Sequence, residues 1–536
     1  PKRRTVTLQR MPTEVVDEFI TRPRSNFDFM KAVPEEELRV GIHELGYRFC
    51  SKPWIQQLVG FLIAEQNPSF LFYYDMGAGK TKLAYDQFRF RVQRGECTRA
   101  LIVVPEAIHM STWIEQLNDH VPDLKLCVLS GSKEERLDLI KNTKAEMCLI
   151  NHAGLQTYMT DLQKVKGKKR LARKVNLDAA TEFAMHFDFL ILDEMHRIKS
   201  HTSLLFELLR WLSFRCPFRY GFTGTPFGRY PEYLWPQFYL IDHGETLGRH
   251  MNLFRAAFFE AKANFFGGID YTFRKDQTEV LHNVIKHRSL SYTTEELQTL
   301  PQRLAIKIPV PLNEEGQMLY NRIIGKIREQ RGDYRSVESN YIRMRQCASG
   351  YMSFKPEEDS ESKERIQFKI KDNPKLNALR MLLEDRIAGR KVIVYHHFRY
   401  TGEMIAELLR ELKIQFAAIR GGVKDVQAEF TRFKTDSKVQ VLLANTQVGS
   451  EAINPQGVCH IEVFFESPED PLTRLQAERR VRRSGQKSWH VIIYDIFAKG
   501  TIEERLLQYH KEGHSLMKAI LTGDENLIVE GDAVAL

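Results

Sequence analysis

The chain has 536 residues, 43% hydrophobic and 27% charged, a composition that fits a globular protein of two or three domains. Lys+Arg outnumber Asp+Glu by 78 to 69, a formal net charge of +9, which suits a polyanionic partner without requiring one. No apolar run reaches membrane-span length, the seven cysteines contain no C-x-x-C pair, and the basic "PKRRTVTLQR" has no apolar core after it, so a membrane span, a disulfide framework, a cysteine zinc site and a secretory signal are not expected.

Residues 1–40 are mixed in charge and weakly periodic, and read as an extension that packs on or near a partner surface. From 41 to 242 short apolar runs alternate with helical stretches. "SFLFYY" (69–74) leads through a glycine turn into "KTKLAYDQFRFRV". "ALIVVP" (100–105), "LKLCVLS" (124–130), "EMCLIN" (146–151), "FDFLILDE" (187–194) and "RYGFTGTP" (219–226) follow as further strands. Residues 243–374 are richer in charge and mostly helical, with a polar loop expected at 355–365. The rhythm returns over 375–510 in "KVIVYHHF", "IQFAAIRG", "KVQVLLANT", "HIEVFFES" and "WHVIIYDIFA", and 511–536 read as a tail. Buried apolar strands alternating with helices predict α/β architecture, with parallel sheets covered on both faces. The basic stretch "QKVKGKKRLARK" (163–174) reads either as a solvated loop or as an element that contacts phosphates.

"DMGAGKT" carries the first chemical signal. A strand feeding a glycine turn and then a helix aims backbone N–H groups at an anion. Gly77 and Gly79 permit the tight backbone, Lys80 can reach β- and γ-phosphates, and the Thr81 hydroxyl can hold Mg²⁺. The usual loop has glycine where Tyr74 stands. "FLILDEMH" ends an apolar strand with Asp193, suited to Mg²⁺, and Glu194, suited to polarising a water. His196 beside them would, alone, read as an ordinary polar residue near a strand end. In "QAERRVRRSGQ" (476–486), Arg480 and Arg483 are three apart and share one face if the stretch is helical. Arginines supplied across a cleft stabilise a transferring phosphoryl group.

In order, "KPWIQQLVG", "DMGAGKT", "DEMHRIKS", "GFTGTP", "MRQCASG", "KVIVYHHF", "VGSEAINP" and "QAERRVRRSGQ" resemble the motif series of the Swi/Snf-type ATPases of helicase superfamily two. The resemblance runs from about residue 50 to 508, and the last motif is similar to that of fork-remodelling, strand-annealing motors. It implies two tandem RecA-like lobes with a mostly helical insertion, ATP and Mg²⁺ as cofactors, and translocation along duplex DNA as a monomer. It implies that Gln57 reads the adenine and that Met76, Gly77, Ala78, Gly79, Lys80 and Thr81 form the phosphate loop. Asp193 and Glu194 would serve metal and water. Thr223, Gly224 and Thr225 would link ATP state to DNA grip. Gly449, Glu451 and Gln476 would line the nucleotide from the second lobe, with Arg480 and Arg483 as fingers. DNA contacts are implied near Pro105, Thr225, His397, Gly421 and Thr446.

The chain departs from that pattern at Ser450, Ala452 and Pro455, at Met195, by one extra residue between Pro105 and Trp113, and by Arg479 and Arg482. None removes a catalytic group. A DNA-stimulated translocating ATPase is therefore expected, in an intracellular setting, with a viral or phage origin as one option. The alternatives are an unwinding helicase or an NTPase acting on RNA polymerase or a hybrid, and an inactive DNA-binding scaffold.

Overall fold

The strands that the apolar runs predict pair in parallel, because each is followed by a segment that returns the chain to the same end of the sheet. The computed structural model describes residues 11–164, 171–228, 230–263, 268–297, 300–329, 334–354, 366–420, 423, 425–455, 457–483 and 486–522. Its first sheet has seven strands, in the order Ser289–Tyr292, Ser69–Tyr74, Phe218–Phe222, Phe189–Leu192, Ala100–Val104, Met147–Asn151 and Leu126–Val128. Every pairing in it is parallel. Side chains alternate between faces, so Phe70, Phe72 and Phe222 enter one buried cluster while Leu71, Tyr73 and Leu101 enter the other.

The second sheet has six parallel strands, in the order Gln302–Val310, His490–Ala498, Ile461–Phe464, Val392–His396, Val439–Asn445 and Gln415–Ile419. Val392, Val394 and Val463 face one core; Ile393, Tyr395 and Phe464 face the other. The molecule thus has the two RecA-like α/β lobes that the sequence implies. Among the described residues, no helix is long and apolar enough to cross a membrane.

The segment 243–374 is not a separate insertion. Ser289–Tyr292 extends the first sheet beside Ser69–Tyr74, and Gln302–Val310 forms the edge of the second beside His490–Ala498. The crossing between lobes therefore lies near 293–301, because an edge strand is claimed by the sheet it pairs with and not by its sequence neighbours. Of the segment's helices, Met251–Phe258 and Thr278–Ile285 pack into the first lobe's core, while Glu314–Glu329 and Tyr334–Ala348 are tied to the second lobe, where Tyr320 Oη accepts from Ile502 N at 2.7 Å. The expected polar loop 355–365 lies outside the described residues.

Residues 11–40 do not form a free extension. Helix Thr13–Thr21 packs Phe19 edge-on against Phe258, and Phe27 packs edge-on against Phe70 on the opposite face of the first sheet. Lys286 bonds Asp28 at 2.6 Å, directly after the second anchor. Nor is the C-terminal part a simple tail: helix Ile502–Thr522 carries Met517 into the first lobe's core. The basic stretch belongs to an antiparallel hairpin, Thr160–Lys164 with Leu171–Val175, rather than a plain loop; residues 165–170 between them are outside the described set.

Candidate active site between the lobes

Strand Ser69–Tyr74 ends at the glycine turn, and helix Lys80–Gln93 begins directly after it. Gly77 and Gly79 both have φ of 80°, a region that strains any residue with a Cβ. At Gly79 a Cβ would also lie 2.1 Å from Gln57 Nε2. Lys80 Nζ donates to the Tyr74 carbonyl at 3.1 Å and the Asp75 carbonyl at 3.4 Å, so the loop holds its own ammonium. Two glutamines brace it from helix Ile55–Gln66: Gln56 Nε2 donates to Ala78 O at 3.1 Å and Gln57 Nε2 to Gly79 O at 3.0 Å. Gln57 Oε1 accepts from Trp54 N at 2.8 Å. Both ends of the Gln57 amide are therefore spent on the loop and the helix start, which differs from the base-reading posture that the resemblance implies.

Tyr74 replaces the missing glycine with a fully buried ring. Its hydroxyl donates to Gln56 O at 2.8 Å, and it fills the space beside Gly60, where a Cβ would meet that hydroxyl at 2.7 Å. It thereby ties the strand end to the same helix that braces the loop.

The acid pair follows strand Phe189–Leu192, one strand away from the phosphate-loop strand, with Phe218–Phe222 between them. The carboxyl ends of parallel strands line the usual crevice of open α/β sheets. Asp193 Oδ2 accepts from Trp113 Nε1 at 3.0 Å, and Oδ1 from Glu194 N at 2.9 Å. Glu194 is left-handed, with φ 48° and ψ 51°, a conformation worth of order 1–3 kcal/mol of strain. Its Oε2 lies 3.1 Å from His196 Nδ1 and accepts from Thr223 Oγ1 at 3.4 Å. Burial and then the Glu194 charge raise the Asp193 pKa against the pull of Lys80. Burial also pushes Glu194 upward, but Lys80 and then His196 outweigh it and hold that carboxyl below its usual range. Met195 is accommodated because strand residue 221 is glycine: a Cβ there would lie 2.0 Å from Met195 Sδ.

The second lobe presents helix Pro471–Val481 to this cleft. Gln476 Nε2 lies 3.2 Å from His196 Nε2. Arg480 Nε donates to Ser450 O at 2.7 Å, and Arg483 Nη1 to Asn454 Oδ1 at 2.6 Å. Arg483 Nη2 lies 3.5 Å from where a Gly77 Cβ would stand. The helix ends at Val481, so the two arginines do not share a helical face as the spacing suggested; Arg483 follows the helix end, and both reach Asn454. Burial, then the neighbouring Arg483 charge, brings Arg480 down to about 10; burial also lowers Arg483. Lys199 Nζ bonds Asp470 at 2.7 Å, a further tie between the lobes.

Gly449 lies in helix Thr446–Ala452, packed where a Cβ would meet Tyr395 at 2.9 Å. Ser450 fits because its hydroxyl donates to Gln447 O at 2.9 Å. The Glu451 side chain and Gly421 are outside the described set. Pro105, Thr225 and Thr446 are buried, and the Thr446 hydroxyl is spent on His396 O at 3.0 Å, so none of them offers its side chain to a duplex in this arrangement. His397 is half-buried, with its N–H donating to Glu466 at 2.7 Å. Sequence reasoning missed Trp113, Asn454 and the Lys199–Asp470 pair. A tryptophan inside an amphipathic helix carries no mark of its indole partner, Asn454 meets Arg480 and Arg483 only through the folding of its own lobe, and the Lys199–Asp470 pair depends on the facing lobe.

A glycine cradle with an internal lysine, an acid pair on the next strand but one and arginines from a second lobe define a two-lobed, helicase-type nucleotide-binding protein. Residues 54–363 match the family model of the SNF2-related domain, and 374–485 match the helicase conserved C-terminal domain. The chain belongs to the SNF2-related family. It is 24% identical over 464 residues to an uncharacterised ATP-dependent helicase of Mycoplasma genitalium, covering 84% of this chain and 40% of that protein. It is 23% identical over 455 residues to the ISWI chromatin-remodelling complex ATPase of Saccharomyces cerevisiae, covering 81% of this chain and 37% of that protein. The chain thus spans about two fifths of the length of these relatives. A Sulfolobus solfataricus SWI2/SNF2 ATPase core solved with dsDNA aligns over 89% of this chain and 95% of its own, at 20% identity and a TM-score of 0.38.

Proposed function

We propose that the chain is a DNA-dependent ATPase motor that couples ATP hydrolysis to translocation along duplex DNA. The observation that carries the reading is the meeting of Arg483 from one lobe with Gly77 of the phosphate loop in the other. A site shared by two lobes changes shape when they move, and that is how hydrolysis can drive a stepwise motion. Gly77, Gly79 and Lys80 would cradle the β- and γ-phosphates, Glu194 would orient the attacking water, and Arg480 and Arg483 would stabilise the charge of the transferring group. The donor chemistry fits Mg²⁺, a hard cation that commonly binds through one or two protein oxygens plus substrate phosphates: Thr81 offers a hydroxyl directly after Lys80, and Asp193 a carboxylate at the strand end. Thr81 and Asp193 would hold it, and it would neutralise phosphate charge.

Duplex DNA is supported by family membership, by the yeast relative's chromatin-remodelling name and by the +9 net charge. Both halves of the site come from one chain, so a monomer suffices, in an intracellular setting. The decisive experiment measures ATP hydrolysis against duplex, single-stranded, forked and RNA–DNA hybrid nucleic acid, with Lys80→Ala as control. Stimulation by duplex and displacement of a triplex strand support the motor. Unwinding of a tailed duplex without triplex displacement supports an unwinding helicase instead, and no hydrolysis above the control leaves only a scaffold.

A further inference from the structure

Arg480 and Arg483 bring two guanidinium groups to the cleft, and among the described residues neither forms an ion pair with a carboxylate. The side chain they share is a neutral amide. Asn454 Oδ1 accepts from Arg483 Nη1 at 2.6 Å and lies 3.5 Å from Arg480 Nη1. Like charges drawn together away from bulk water repel, and burial and then the Arg483 charge press on Arg480. An aspartate of the same shape would relieve that repulsion and bind both arginines with stronger, charge-assisted bonds. It would also cancel the charge that a transferring phosphoryl group needs. An amide oxygen orients a guanidinium and leaves its charge intact.

Asn454 is itself held in place. It follows helix Thr446–Ala452 and stands exposed between buried Ile453 and buried Pro455. A residue before proline is confined to extended backbone. Pro455 is fixed in turn, because its carbonyl accepts from Val458 N at 2.9 Å and Cys459 N at 3.0 Å. The proline that departs from the family pattern thus stiffens the segment that carries the amide. The same segment grips Arg480 a second time, through Ser450 O at 2.7 Å. A guanidinium is planar and rigid, so holding Nη1 of Arg483 also aims its Nη2, which lies 3.5 Å from where a Gly77 Cβ would stand.

We infer that Asn454 is a positioning residue that aims Arg480 and Arg483 at the phosphates and, being neutral, leaves their charge for the transferring group. It acts through the two arginines and not on ATP itself. The inference rests on the ATP-hydrolysing reading above.

The test uses the full chain with duplex DNA. It reads kcat and KM for ATP, and the Kd of a fluorescent ADP with and without aluminium fluoride, which together with ADP mimics the transferring phosphoryl group. Asn454→Ala should lower kcat about 10-fold and change KM by no more than about threefold. Asn454→Asp should lower kcat about 100-fold, since the arginines are then oriented but discharged. In Asn454→Asp the tightening of ADP by aluminium fluoride should shrink at least about 10-fold, while ADP alone binds within about twofold of wild type. A role in the fold alone predicts the opposite order, because aspartate keeps the shape and strengthens both bonds. Asn454→Asp is isosteric and keeps the test decisive if Asn454→Ala does not fold. A kcat for Asn454→Asp within about threefold of wild type, or higher than that of Asn454→Ala, overturns the inference. If wild type itself hydrolyses no ATP above Lys80→Ala, the ATPase reading falls and the inference with it; if wild type is active and Asn454→Asp matches it, only the inference falls.

Discussion

Gln476 Nε2 of the second lobe lies 3.2 Å from His196 Nε2 of the first. An amide N–H can only donate, so the His196 proton sits on Nδ1, which lies 3.1 Å from Glu194 Oε2 and 3.0 Å from Thr223 Oγ1. The second lobe is thereby linked to the carboxylate of the acid pair through a single imidazole.

This relay predicts non-additive losses. Gln476→Ala and His196→Ala should each lower kcat, and the double variant should lose little more than His196→Ala. A double-mutant cycle on duplex-stimulated hydrolysis should give a coupling of about 1 kcal/mol. Additive effects would mean that the two residues act independently.

The arginine pair should separate binding from chemistry. Arg483→Ala is expected to lower kcat by roughly 10³-fold while the Kd for ATP changes only a few-fold. Single-turnover hydrolysis alongside fluorescent-nucleotide binding checks it. Loss of binding with unchanged turnover at saturation would contradict a role in the transition state.

The helix that carries these groups is anchored by Glu478, which accepts from Arg474 Nε at 2.8 Å and Arg303 Nε at 2.8 Å in a buried site. Burial alone would raise its pKa, but Arg474 and then Arg303 outweigh it and bring it from 4.5 down to about 2. A depressed folded-state value contributes stability that is present above 4.5 and lost as pH falls toward 2. Glu478→Gln should therefore cost about 3 kcal/mol near neutral pH, with the gap to wild type narrowing below pH ~4. Urea unfolding at two pH values measures it; a pH-independent gap would contradict the ion-pair account.

The hairpin of the first lobe offers a test of the DNA reading. Replacing Lys164, Lys166, Lys168, Lys169 and Arg170 with glutamine should weaken duplex binding. It should also flatten the plot of log affinity against log salt by about 0.9 for each phosphate contact removed. Unchanged affinity and slope would make the stretch an ordinary solvated one.

Much of the fold was legible because its signals are local. "SFLFYY", "ALIVV" and "FLIL" are strands in the structure, since an apolar run followed by a helix needs burial on both faces. The edge strands were not legible. Gln302–Val310 has mostly exposed or half-buried positions, so it lacks the apolar run that marks a central strand. The stretch 163–174 reads as a solvated loop or a phosphate-contacting element, because its charge hides the pairing of Thr160–Lys164 with Leu171–Val175.

The sequence by itself determined the site's parts. The glycines at 77 and 79, Lys80, the acids at 193 and 194 and the arginines at 480 and 483 sit in patterns that local backbone chemistry makes recognisable. Only the tertiary structure decided how they are held: Tyr74 as a buried tie to Gln56, Gln57 spent on Gly79, Trp113 on Asp193, and Arg479 on Asp75 across 404 positions. The reason is range. A turn or a strand end is set by its immediate neighbours, whereas these partners are chosen by which surfaces two separately built sheets bring face to face.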